Sequence, residues 1–358
     1  MNALTQTVAR YDMEAKSQDF VRYAIACAMS GGDSFQIRSI CETRWPEARY
    51  GAVIQKAAVA AGDTTDSTWA KPLAELAPVA DAFLAAVRPR TLIGRMAGIR
   101  PAPFGVRFPI ATSGTSAGWV GEAKPTPVTA MAFGEGTLKP AKVGGIVVTT
   151  KELLRSTSPE AEAQIKLDLE TAIITFTDAQ FVDPAVAAVD DVNPASITNG
   201  TTAVAASGTT AAAATADFKA LVKKLTDAGI PLASPYFLMS PTTATGLAGL
   251  NVEMFRDVGP LGGSIMGIPV LTSPGVGSVI ALVDATEIIL ADDGIVIDAA
   301  EHGSVQMDSA PTDPPTASTV LTSFFQSNLV GIKALRQMRW QKRRAGAAAY
   351  ISGAAYGG

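Results

Sequence analysis

Between Ser158 and Pro184 the sequence dictates one long helix, and that helix constrains what the rest of the chain can fold into. Ser158 is placed to cap the first turn and Pro159 takes the first helical position. Glu160 and Glu162 sit on the positive end of the dipole, and Pro184 stops the run. Ile165, Leu169, Ala172, Phe176 and Ala179 recur at helical spacing, which predicts one narrow apolar stripe down roughly 35 Å of helix at about 1.5 Å per residue. One face only is then buried. Such a helix suits a spine laid across a sheet better than the centre of a bundle.

Strands for that sheet are readable upstream. Phe104, Val106, Phe108 and Ile110 alternate with Gly105, Arg107 and Pro109, a strand pattern, and Thr137–Thr150 (TLKPAKVGGIVVTT) supplies a return strand. Ala111–Pro127 (ATSGTSAGWVGEAKPTP) therefore sits at the far end of a long antiparallel hairpin. Trp119 is costly to leave in water, and Pro125 and Pro127 stiffen an extended path. Gly114 to Gly118 spells G-x-S-x-G around Ser116, the pattern of a serine-hydrolase nucleophile elbow. That elbow needs a helix directly after the serine, and Gly118-Trp119-Val120-Gly121 followed by two prolines cannot start one. An intracellular serine hydrolase using Ser116 is thus only the outlying alternative.

The first stretch, up to about Pro89, is helical in pattern. Phe20, Tyr23, Ala24, Cys27 and Ala28 recur before Gly31-Gly32, and Val53–Ala61 makes a second short helix. These stripes are too small to make a core and read as an arm laid on something else, with a small independent helical domain as the alternative. Beyond the long helix, NPASITNG is a turn-rich connection and TTAVAASGTTAAAATA a low-complexity linker. Ala216–Ala228 reads as an amphipathic helix closed by Gly229 and Pro231, YFLMS as a buried strand, and TTATGLAGL as a short capped helix. VGPLGGSIMGIPV lacks the GxGxxG pattern and its acidic partner, so it reads as a tight structural loop. Alternating strands follow, with Asp292-Asp293-Gly294 as a hairpin turn.

Composition excludes several functions. The chain has 358 residues, 47% of them apolar, and a net charge of −4, so no global positive field advertises nucleic-acid binding. Two cysteines, Cys27 and Cys41, make no disulfide framework and suit a reducing compartment. The N-terminus lacks the apolar core of a signal peptide, and no apolar run is long enough to cross a bilayer. The single histidine, His302, reads as a solvated surface residue; without a Cys/His cluster or phosphate loop, no metal, cofactor or catalytic residue is expected. Charge is uneven at one end. After Asp313 there is no carboxylate, while Lys333, Arg336, Arg339, Lys342, Arg343 and Arg344 follow in close succession, either a solvated strand end or a weak, sequence-blind patch for a polyanion.

In this order the segments resemble the major capsid protein of tailed bacteriophages, the Hong Kong 97-type family. The resemblance is carried by KAAVAAGDTTDSTWA, by GWVGEAKPTP, by AFGEGTLKPAKVGGIVVTTKELLRSTSPEAEAQI, and by NPASITNG, GGSIMGIPV and SFFQSNLVGIKALRQMRW. It implies an α+β fold with an N-terminal arm (1–90), an extended hairpin loop with its strands (91–150, tip about 111–130) and the spine helix of a peripheral domain (151–190). An axial domain (191–315) and C-terminal strands returning to the peripheral domain (316–358) complete it. The implied function is structural and non-enzymatic: self-assembly into hexamers and pentamers of an icosahedral shell around double-stranded DNA. An encapsulin-like protein compartment is the alternative.

Further expectations follow from the resemblance. Trp119, Glu122 and Lys124 of the loop, and Gly262 and Gly263 of the axial domain, are the expected subunit-interface residues. Arg339, Lys342, Arg343 and Arg344 are the candidates to face DNA, with weak non-specific contact. Expected partners are other copies of the chain, a portal, a scaffold or maturation protease, and decoration proteins, with no membrane. The expected location is the virion, assembled in the bacterial host cytoplasm. Some members of the family join a loop lysine to a C-terminal asparagine with a glutamate as catalyst; Lys124 and Asn328 correspond. No acid follows Asp313 on the strand of Asn328, so a shell without such cross-links is expected.

Overall fold

The computed structural model describes residues 22, 25–26, 29–30, 34–45, 90–111, 119–120, 133–152, 159–300, 302–308, 311–316 and 318–357. In chain order the main elements begin with α1 (Ser34–Arg44), β1 (Arg100–Pro101), β2 (Arg107–Ala111), β3 (Phe133–Thr137), β4 (Lys142–Thr150) and α2 (Pro159–Val182). Then come β5 (Val204–Ala205), α3 (Ala211–Asp227), β6 (Pro235–Met239), α4 (Pro241–Gly249), β7 (Val258–Gly259), β8 (Gly262–Ile265), β9 (Ile268–Thr272) and β10 (Ile280–Asp284). The last are β11 (Ile288–Ala300), β12 (Ser304–Val305), β13 (Thr322–Ser323), β14 (Leu329–Lys342) and β15 (Ala348–Ser352). Helices and mixed sheets make this an α+β fold.

The chain forms two compact units. One comprises Met1–Arg88, Val143–Ile173 and Gly294–Arg336, and the other Pro89–Lys142, Ile174–Asp293 and Gln337–Gly358. In the first, Ala26, Ile37 and Cys41 close a small cluster with Ile40 and Trp45. Helical residues on either side of Gly31-Gly32 in the sequence thus pack on one another. The second predicted arm helix, Val53–Ala61, lies outside the described residues.

The second unit is built on a seven-stranded sheet in the order β5-β15-β10-β6-β9-β8-β7. β10 is fully buried along its length and apolar on both faces from Ile280 to Val283, as suits a strand flanked on both sides. Phe218, Leu221 and Leu225 of α3 pack onto it with Phe237, Phe255, Leu282 and Ile351 in one core, the Phe218 ring lying 5.2 Å from both Phe237 and Phe255. Thr210 caps α3 by accepting from the Ala213 amide, so the helix begins five residues before the predicted start and absorbs much of the alanine-rich stretch read as linker. Tyr356 closes this core, donating to Asp217 Oδ2 at 2.7 Å. Burial works against the Asp217 charge, yet the Ser207 amide and hydroxyl and the Tyr356 hydroxyl outweigh it and hold the carboxyl below its ordinary value.

Two strand assignments change. The partner of β2 is β3, not the Thr137–Thr150 stretch: Arg107 faces Thr137 and Ala111 faces Phe133, while β4 joins a separate sheet in the order β1-β11-β14-β4. Asp292-Asp293-Gly294 is no turn, because β11 runs unbroken from Ile288 to Ala300, so that sheet pairing overrides local turn chemistry.

The long helix has the expected ends, Pro159 to Val182, but a different buried face. Phe176, assigned to the apolar stripe, is 49% exposed and Ala172 is exposed, whereas Glu170, Thr177, Asp178, Phe181 and Val182 are buried. The hidden face is partly polar, so counting apolar residues placed it wrongly.

Candidate functional site

The hairpin of β2 and β3 has a firmly anchored root. Leu138, directly after β3, is fully buried with Ile289, Ala291, Ala102 and Phe104. The Gly105 amide donates to the Leu138 carbonyl at 3.0 Å, and the Met338 amide donates to Ala141 at 2.9 Å. Lys139 reaches Asp190 and Asp191 at 3.6 and 3.1 Å; the Asp191 hydrogen bond, with the charges of both acids, raises the lysine above its ordinary value. Arg339 Nη1 donates to the Lys139 carbonyl at 3.3 Å.

From that root the chain carries Trp119 and Val120 into solvent. The indole is 106% exposed, as bare as in an extended chain, and Val120 is 42% exposed. Ser116, Glu122 and Lys124 lie outside the described residues. A tryptophan with no apolar cover, on a hairpin with such a root, has the form of an interaction element.

The two axial glycines serve their own chain. Gly262 and Gly263 have φ of 114° and 141°, and a Cβ would stand 2.6 Å from the Val270 carbonyl oxygen and 1.8 Å from that of Asp257. They are there because β7, β8 and β9 approach too closely for any side chain. Leu261 beside them, missed by the sequence reading, is 91% exposed, and a leucine among tight-turn glycines was the signal available.

The basic residues near the C-terminus have intramolecular partners. Arg343 and Arg344 lie 3.9 and 3.5 Å from the carboxylate of Glu287, which is only 3% exposed, and Arg344 also donates to the Gly229 carbonyl at 3.2 Å. Lys342 donates to the Asn199 carbonyl at 3.0 Å, and its burial lowers its affinity for the proton. A cleft of about 430 Å³ is lined in part by Arg339, Trp340, Lys342 and Ser196, and Trp340 Nε1 there donates to the Ala195 carbonyl at 2.8 Å. Lys342, Arg343 and Arg344 thus each have a partner within the fold, and Arg339 braces the hairpin root.

An acid does stand beside Asn328. Asn328 Nδ2 donates to Glu152 Oε1, and the Lys151 amide donates to the Asn328 carbonyl at 3.0 Å. This carboxylate comes not from the strand that bears Asn328 but from just after β4. Both side chains are exposed in the subunit. Among the described residues no group of His, Cys, Asp or Glu is placed to hold a metal, and no helix is long and apolar enough to cross a membrane.

Known proteins resolve the family. Chains from Mycobacterium phage Ogopogo and Gordonia phage Cozz share the fold, each with a TM-score of 0.53 at 16% identity over 73% of this chain, covering 91% and 85% of theirs. The capsid polyprotein of Pseudomonas phage PAJU2 is 41% identical over 322 residues, covering 85% of this chain and 48% of that protein. This chain therefore spans about half the length of that relative. Residues 77–348 match the model of the phage capsid family. With three quarters of its length inside that match and a hairpin, spine helix and sheet in the order described, the chain belongs to the phage capsid family.

Proposed function

We propose that the chain is the major shell subunit of a tailed phage, assembling into the hexamers and pentamers of an icosahedral container for double-stranded DNA. The observation that carries this reading is Trp119, wholly in solvent on a hairpin whose root is fixed in the sheet. A neighbouring copy is the natural cover. Burying one tryptophan removes about 150–250 Å², an upper bound of roughly 4–6 kcal/mol per contact at about 25 cal/mol per Å². Each contact is modest alone, but a closed ring makes every later one intramolecular, so together they hold.

Glu122 and Lys124, close in sequence to Trp119, are proposed to make charge pairs with the same neighbour. Gly262 and Gly263 are proposed to lie at a subunit interface together with the exposed Leu261, the glycines shaping the turn that presents it. The chain is proposed to act without catalysis, in the virion, after assembly in the host cytoplasm with a portal, a scaffold or maturation protease, and decoration proteins. DNA contact, on this reading, is weak and non-specific. An encapsulin-like compartment would hold protein cargo instead, so the contents of purified particles separate the two.

Trp119→Ala tests the reading. The variant subunit should stay soluble and folded by circular dichroism while closed particles, counted by electron microscopy and sedimentation, fall sharply. A normal particle yield would remove the bridging role of the hairpin.

A further inference from the structure

Asp178 lies in the second half of α2 with its side chain fully buried. Its Oδ1 accepts from the Leu92 amide at 2.8 Å, and among the described residues Oδ2 has no partner in hydrogen-bonding geometry. Three segments of one compact unit meet around it. The turn from Thr91 to Met96 brings the Leu92 amide and the Arg95 charge, with Arg90 as the other ionisable residue of that stretch. Arg95 also donates from Nη1 to the Thr272 carbonyl at 2.9 Å. The Ser273–Val276 turn brings the Ser273 hydroxyl and contains no ionisable residue; it presses so close to the helix that a Cβ on Gly275 would stand 2.6 Å from the Thr175 carbonyl oxygen. The helix itself carries no other ionisable side chain from Ile174 to Val182. Among the described residues, Arg95 is the charge that acts on Asp178.

The position matters because the chain passes from one compact unit to the other between Arg88 and Pro89, and again between Ile173 and Ile174. Leu92 and Asp178 each lie just inside the second unit after one of these crossings. Their hydrogen bond fastens the two returning segments together.

We propose that Asp178 is a proton-operated latch: protonated, it closes the corner between the spine helix and the Leu92 turn, and ionised, it leaves that corner easier to open. A proton on Oδ2 removes a buried charge while Oδ1 still accepts from the Leu92 amide. Burial, the largest influence, pushes the carboxyl up to about 6, against the Ser273 hydroxyl, the Leu92 amide and the Arg95 charge. A carboxyl more basic in the closed corner than in the open one stabilises closure in acid. That contribution is complete below the ordinary value of 3.8, fades as pH rises, and is lost above about 6. Mild acid thus tightens the attachment of the segment that follows the arm, and neutral pH loosens it. The latch lies within one unit of one subunit and does not depend on the shell reading.

Hydrogen exchange of the Leu92 amide in the intact protein, corrected for the intrinsic pH dependence of exchange, reads the latch directly. Between pH 5 and pH 7.5 the opening constant should rise about tenfold, while the Leu282 amide of β10 shows no such change. Asp178→Asn keeps an acceptor for Leu92 and cannot ionise, so its corrected protection should be the same at both pH values. Arg95→Gln removes the facing charge and should move the transition to higher pH, a displacement that a purely structural role would not give. Equal wild-type protection at pH 5 and 7.5 would overturn the proposal, as would a pH dependence that persists in Asp178→Asn. Should that variant fail to fold, the wild-type profile and an undisplaced transition in Arg95→Gln decide in its place.

Discussion

Glu287 shows how much a single buried charge can demand of its neighbours. At 3% exposure it faces Arg343 and Arg344, both more accessible, and the Arg343 amide also donates to its carbonyl at 2.8 Å. Removing both cations strands the carboxylate in a poorly solvated site, which costs about 3–5 kcal/mol. Arg343→Gln with Arg344→Gln should therefore lower the unfolding midpoint of the subunit markedly. Adding Glu287→Gln should restore most of the loss, because the stranded charge is then gone. Thermal unfolding of the subunit checks both, and an unchanged midpoint in the double variant would return these arginines to the solvent-facing role read from sequence. That role was a reasonable inference from charge order alone. What the order could not reveal is that Glu287, more than fifty positions away, is folded onto the same place.

Elements with strong local chemistry were legible. Pro159 and Pro184 bound the spine helix, Ser240 caps the helix that starts at Pro241, and the strand of Pro235–Met239 is continuous and apolar. Orientation was less legible. The apolar spacing put Phe176 inward, yet the buried face carries Asp178 and Phe181, because polar groups with partners can be hidden as well as apolar ones. Truncation separates the two faces. Phe181→Ala should cost about 3–5 kcal/mol, since that ring is fully buried and meets Trp340 edge-on at 5.3 Å, whereas Phe176→Ala should cost less than about 1 kcal/mol. Chemical denaturation of the unassembled subunit measures both, and equal losses would favour the original stripe. Strand pairing was the harder problem. β3 is a glycine-rich FGEGT with little strand character, and only its register with β2 marks it as the return of the hairpin.

On the scale of the whole molecule, the pairing of Asn328 with Glu152 bears on whether the proposed shell is stitched covalently. The acid once thought missing is present, but both side chains are exposed in the subunit, and acyl transfer from an amide to lysine is favoured in a site that excludes water. Particles boiled in detergent should run as one band at the mass of a single subunit. A ladder of multimers would instead assign Glu152 the part of proton acceptor, and its loss in Glu152→Gln would confirm that part.

The place of the last strand has a consequence for how the protein is made. β15 lies between β5 and β10, and Ala349, Ile351, Ala354 and Tyr356 share a core with α3 and β6, whose residues precede them by more than a hundred positions. A ribosome must therefore deliver the chain as far as Tyr356 before this core can close. Until then β10 lacks one of its two flanking strands, and a half-translated subunit offers no finished surface for a neighbour to recognise.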